Sequence, residues 1–210
     1  MAEFDYYEIR AVITPGALAL AGFFLAYPQL YAAAAGADFG VGDLGLFLIL
    51  AYSLGHLVAA VGNLFEDVWW RAQRGWPSDW VRRGERNILS EAQRNLLPAK
   101  IHAKLGLPLK ASITEYSERE WGGIANQIKA AVHAAERAKR LESFNSNYGL
   151  FRGIVAAGLL ILPLIAIQRW ADHPEIVLGV AAAMILAAFR FQRFGRRYSE
   201  ELFNQFLQLD

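Results

Sequence analysis

Tyr52, Ser53, His56, Asn63 and Asp67 lie in or at the edge of one apolar stretch. At about 100° per residue they fall within a sector of roughly 100° around His56, so a helix would carry them as one polar stripe about 22 Å long. An ionisable side chain inside a membrane normally faces a bundle interior or a water-filled cavity, because facing lipid while charged costs several kcal/mol. His56 is therefore the leading candidate for a polar conduit or sensor. The plainer role is interhelical hydrogen bonding, which contributes about 1 kcal/mol or less. His56 stands about 15 Å along the helix from Glu66 or Asp67, so they cannot share a metal without ligands from elsewhere.

Two further groups could bind rather than conduct. Lys129, His133, Arg137 and Arg140 fall on one side of a helical pattern whose other side is Ile124, Ile128, Ala131, Val132, Ala135 and Ala138; such a basic face is a candidate site for an anionic signal, although basic faces are commonly just solvated. Trp69, Trp70, Trp76 and Trp80 sit among Arg71, Arg74, Arg82 and Arg83 directly after an apolar stretch. Indole and guanidinium groups suit the lipid headgroup region, so these four Trp are expected to be interfacial anchors rather than a nucleic-acid platform. Asp172, His173 and Glu175 have metal-ligand chemistry, but a helix cap and an acidic first turn account for them. No Walker A, dinucleotide-binding, zinc-protease or serine-hydrolase signature is present. The expectation is no catalytic residue, no metal and no cofactor, hence not an enzyme; lipid chemistry by His56, Glu66 or Asp67 would need partners from another helix.

The elements that would carry these residues are membrane spans. The 210 residues are 55% hydrophobic and 20% charged, with mean hydropathy +0.21, and residues 11–37 and 44–65 contain no Asp, Glu, Lys or Arg. Soluble domains lack such runs. A first span is expected from Thr14-Pro15 to about Gly36 with a kink at Pro28, and a second from Leu44 to Phe65. Gly153–Gln168 and Ile176–Phe189 supply shorter third and fourth spans, lengthened by snorkelling of Arg152 and Arg190. Met1–Arg10 holds three acids and one Arg, which is not the basic start of a cleaved signal, so the first apolar segment reads as retained. Segment 67–148 holds 14 of the 21 Lys and Arg, and the tail adds Arg190, Arg193, Arg196 and Arg197. The basic segments mark the cytoplasmic side, with both termini there.

The expected fold is all-α: a four-span multi-pass protein of the inner (plasma) membrane, built as two membrane hairpins (1–66 and 149–192) flanking a helical cytoplasmic insertion (67–148), then an amphipathic tail (193–210). Within the insertion, Ser90-Glu-Ala-Gln93 and Ser117-Glu-Arg-Glu120 are capping boxes, Tyr116 and Trp121 form a hydrophobic staple, Pro98 is expected to end a helix, and Ser143–Gly149 reads as a bend. The Gly122-Gly123 pair weakens the helix that begins at Ser117. Tyr198, Leu202, Phe206 and Leu209 give the tail one apolar side.

Small residues at four-residue spacing, Ala51, Gly55 and Ala59 with Gly62 nearby, form another side of the second span, and Gly179, Ala183 and Ala187 repeat the theme in the fourth. They permit close helix packing and favour a homo-oligomer. The functional expectation is an oligomeric membrane protein with a polar, ion-conducting path, gated by the insertion in the manner of toxin or antiviral-defence effectors. The alternative is a non-conducting adaptor that recruits a cytosolic protein. The bilayer, further copies of the chain and an anionic signal or cytosolic partner are the expected partners. With a net charge of only +1, nucleic acid is not expected, and absence of cysteine excludes disulfides and thiol chemistry.

Overall fold

The computed structural model describes residues 8–35 and 41–210, which contain helices and no strand. A π-helical turn, Ile9–Ile13, runs into α1 (Thr14–Ala26). Then follow α2 (Pro28–Ala35), α3 (Val41–Ala72), α4 (Pro77–Arg83), α5 (Glu91–Leu105), a 3-10 turn (Ile113–Glu115), α6 (Glu118–Ala134), α7 (Lys139–Arg169) and α8 (Pro174–Leu207). The expected readings of Met1–Tyr7 and of the 36–40 part of the first loop lie outside the described residues.

Four helical segments are long and apolar enough to cross a membrane, beginning at Ile9, Gly42, Lys139 and Pro174. The uncharged stretches of the third and fourth are parts of longer helices, of 31 and 34 residues. The first differs from expectation. Pro28 does more than kink it: Tyr27 leaves the helical region (φ −127°, ψ 73°), so the segment ends at Ala26 and α2 starts afresh. The span is completed from the other end, where Ile9–Ile13 extends it and Arg10 donates to Asn147 at 3.0 Å.

The chain divides into two compact units. Unit one comprises 1–68 and 146–192, and unit two comprises 69–145 and 193–210. The divisions fall inside α3, α7 and α8.

Unit one is packed through small residues. A Cβ on Gly16 would collide with the carbonyl of Ala51 and the backbone of Gly55, and one on Gly55 with the carbonyl of Val12, so α1 and α3 meet backbone to backbone. Dispersion at such short range is a main source of helix association where lipid removes the hydrophobic drive. Ala19, Val58, Ala156, Ala157, Ile161 and Ile165 continue this core.

Unit two is packed through aromatics. Trp121 stacks on Phe203 (centroids 5.5 Å apart, 9° between planes) and its Nε1 donates to the Ser78 carbonyl at 2.8 Å. Trp70 meets Trp80 edge to face at 5.6 Å, and Leu97, Ile101, Ile128 and Phe206 fill the remainder. Both capping boxes are present, and Tyr116 lies 6.2 Å from Trp121 as a staple requires. The Gly122-Gly123 pair lies within α6, which starts at Glu118.

Three local expectations change. Pro98 lies inside α5 instead of ending it, because Leu97, Pro98 and Ile101 form the buried side and packing offsets one missing hydrogen bond. Residues 143–149 are helical: Asn147 accepts from Arg10, Tyr148 stacks on Phe191 at 4.6 Å and donates to Glu66, and Ser146 is packed inside. Engaged in this way, the Asn147 and Tyr148 side chains do not compete with the helix for backbone groups. The break comes earlier, after Ala134. Glu136 is left-handed (φ 57°), while Glu136 N donates to the His133 carbonyl and Arg137 N to the Val132 carbonyl. That is the hydrogen-bond pattern of a Schellman helix end.

Candidate functional site

On α3 the small side is inside and the polar stripe is outside. Ala51, Gly55, Val58, Gly62 and Glu66 are buried, whereas Ser53, His56, Asn63 and Asp67 are exposed and Tyr52 is half-buried. Tyr52 meets the His56 ring edge to face at 4.7 Å, which orients the imidazole. The five residues therefore lie on a common side, as their spacing requires, on a surface of the chain rather than within its own bundle.

The buried side of α3 ends in an acid. Glu66 is 7% exposed; Tyr148 Oη and Arg152 Nη1 donate to its two carboxylate oxygens. Arg152 is thus an internal ion-pair partner, not a snorkelling residue. Phe191 stacks on Tyr148 and touches Phe65, screening the cluster. A charge pair so enclosed is sustained by satisfying its hydrogen bonds, and removing one member leaves the other stranded. Sequence reasoning overlooked this pairing. Its signal was Glu66 standing four residues after Gly62, in the small-residue series.

The basic face does not assemble as expected. Because α6 ends at Ala134, Lys129 and His133 belong to one helix and Arg140 to another, with Arg137 in the turn between. Arg137 Nη1 donates to the Gln208 carbonyl at 2.9 Å, Arg140 Nε lies 3.6 Å from Glu201, and His133 Nδ1 lies 3.7 Å from Glu142. Lys129 is exposed. At the start of α6, Ser117 N and Oγ both donate to Glu120 at 2.8 Å, and these bonds, backbone first, with Lys110 beyond them, hold the Glu120 pKa below its ordinary 4.5. The cap therefore stabilises the fold above the unfolded pKa, and that contribution is lost as pH falls through the folded value.

The four Trp divide. Trp70 and Trp80 are 1% and 0% exposed, core residues of unit two rather than lipid anchors; Trp69 is half-buried, and Trp76 is 43% exposed. Arg86 lies over the Trp80 ring at 3.9 Å. Trp70 and Trp80 thus serve a folded core, and a guanidinium covers one of the two indole faces.

Unit one also carries an open pocket of about 920 Å3. Leu20, Phe24, Leu46, Phe47 and Leu50 wall it, with Asp43 from the start of α3 and Arg169 and His173 from the α7–α8 connection. The break at Pro28 helps to build it. Proline has no N–H to continue the ladder, and Arg169 Nε donates to the Leu25 carbonyl at 3.1 Å, which fixes the guanidinium beside the end of α1. His173 pairs with Glu175 at 3.1 Å, and no group of three or more metal-ligand residues occurs among the described residues.

No protein-family model matches this chain, and neither the curated proteins nor the solved structures contain a significant match.

Proposed function

We propose that this is a non-catalytic, multi-pass protein of the inner membrane, with both termini in the cytoplasm, whose copies associate through the outer side of α3 to enclose a polar, ion-conducting path. The observation that supports the reading is the outward placement of Ser53, His56, Asn63 and Asp67 on a helix whose small side is already buried. Left against hydrocarbon, His56 and Asn63 would lack hydrogen-bond partners, and an unpartnered polar group in an apolar medium costs several kcal/mol. Facing one another around an axis, the stripes supply both mutual partners and a wet lining. Unit two is the gate in this reading. A cytoplasmic signal or partner protein acts on it, as in a membrane effector of the toxin or antiviral-defence type. Lys129, Arg137 and Arg140 are all exposed; Arg137 and Arg140 already engage the Gln208 carbonyl and Glu201, so Lys129 leads the group proposed to read an anionic signal.

Ion flux into liposomes tests the path, comparing wild type with the His56→Leu/Asn63→Leu double variant at matched reconstitution. The expected result is wild-type flux reduced at least tenfold in a variant that melts at the wild-type temperature. Equal flux in both removes the stripe from the path. Absence of wild-type flux across a pH series favours the adaptor, in which exposed residues of unit two recruit a cytosolic protein and His56→Leu is tolerated.

A further inference from the structure

The junction of α3, the α4–α5 turn and α8 in unit two is strongly basic. Arg86 donates to the Gln73 side chain at 2.9 Å and to the Gln73 carbonyl at 3.2 Å, and the Arg86 carbonyl accepts from Arg196 Nη2 at 3.1 Å, so the three elements meet there. Arg83 Nη2 donates to the Arg74 carbonyl and holds the turn that follows α3. Arg71 and Arg74 stand at the end of α3, and Arg193 is three residues before Arg196 on the same side of α8; all three are exposed. Their guanidiniums make no ion pair or hydrogen bond among the described residues.

The nearby acids do not answer them. Glu85 lies 2.9 Å from Arg83 and Glu200 lies 2.8 Å from Arg197, while Asp67, four residues before Arg71, forms no ion pair with it among the described residues. The Arg74 backbone is left-handed (φ 64°), a region that favours glycine, as at neighbouring Gly75 (φ 111°). A side chain is disfavoured there, and this one gains no partner within the described chain, so its charge points to a ligand from outside. Arg71 is six residues past Phe65 and Arg193 four past Phe189, about 9 and 6 Å along α3 and α8 beyond their uncharged stretches. The headgroup layer extends about 5–8 Å beyond the hydrocarbon, and helical side chains tilt toward the N-terminus, which here is back toward the spans.

We propose that Arg71, Arg74 and Arg193 form a binding surface for anionic phospholipid headgroups of the membrane that α3 and α8 cross. A guanidinium presents parallel N–H donors that match two phosphate oxygens. A zwitterionic headgroup offers the same phosphate but brings a cation that the three arginines repel, so the surface prefers lipids of net negative charge. Trp70 and Trp80 build the core at this place, and it is the arginines around them that meet headgroups. The surface rests on the membrane reading of α3 and α8 and is independent of any conduction along α3.

Electron paramagnetic resonance of the full chain in phosphatidylcholine nanodiscs tests this, with spin-labelled phosphatidylglycerol and phosphatidylcholine of matched acyl chains. The expected result is protein-bound phosphatidylglycerol favoured about fivefold over phosphatidylcholine. Arg71→Gln/Arg74→Asn/Arg193→Gln is expected to level the two lipids with helical circular dichroism unchanged, because Asn tolerates the left-handed backbone at position 74. Lys104→Gln/Lys129→Gln/Lys139→Gln, which removes the same charge from three exposed lysines of unit two, is expected to keep the preference. No preference in wild type, a preference kept by the arginine variant, or an equal loss in the lysine variant overturns the proposal. Release of bound phosphatidylglycerol by inorganic phosphate or a single-stranded oligonucleotide at constant ionic strength also overturns it, and assigns the arginines to a soluble anion. A chain that fails to enter the nanodisc overturns the membrane reading together with the surface, whereas one that enters without a preference overturns the surface alone.

Discussion

Glu66 and Arg152 illustrate how little a residue's type alone says about its role. An acid at the end of an apolar stretch and an arginine at the start of another read separately as boundary residues, and only packing makes them one group with Tyr148. Removing one partner of a buried ion pair costs about 3–5 kcal/mol, whereas replacing both by apolar residues of similar volume is often near neutral. Glu66→Leu and Arg152→Met are each expected to lower the unfolding free energy by that amount, and the double variant to recover most of it; denaturant titration in detergent measures the cycle. Additive losses would show that the two residues act independently. The stripe on α3 was readable from spacing because every member lies on a single helix. The partners of Glu66, Arg137 and Arg140 were not, since each lies more than sixty residues away in the chain, across a fold that periodicity does not specify.

At the scale of elements, the sequence was most informative where a local rule had no competitor. The capping boxes at Ser90 and Ser117 and the Tyr116–Trp121 staple are all present because their groups lie within five residues of one another. It was least informative where tertiary contacts outweigh propensity, as at Pro98 and along Ser143–Gly149. The end of α6 went unread because a Schellman turn usually announces itself by glycine, and here the left-handed position is Glu136. A side chain there costs roughly 1–2 kcal/mol relative to a permissive residue. Glu136→Gly is therefore expected to raise the unfolding free energy by about 1 kcal/mol, read by thermal melting, and Glu136→Val to lower it; a destabilising Gly variant would mean that the Glu136 side chain contributes more than its backbone strain costs.

For the molecule as a whole, composition was sufficient to identify helices able to cross a membrane, because a run of uncharged residues on that scale has few other uses. It could not say which side of α3 would face outward, since small and polar residues compete for the same contacts. The association proposed through that outward side has a direct check in a chain without cysteine. Asn63→Cys is expected to form disulfide-linked dimers under mild oxidation in membranes, and Val58→Cys, fully buried in unit one, to remain monomeric. Monomer in both cases would remove α3 from the interface. The Glu66 cluster also has a history in time. Eighty-six residues separate Glu66 from Arg152, so at about 5–20 residues per second a ribosome delivers the arginine about 4–17 s after the acid. Throughout that interval the nascent chain carries the Glu66 carboxyl without its guanidinium, and a synthesis arrested before Arg152 leaves that pair unmade.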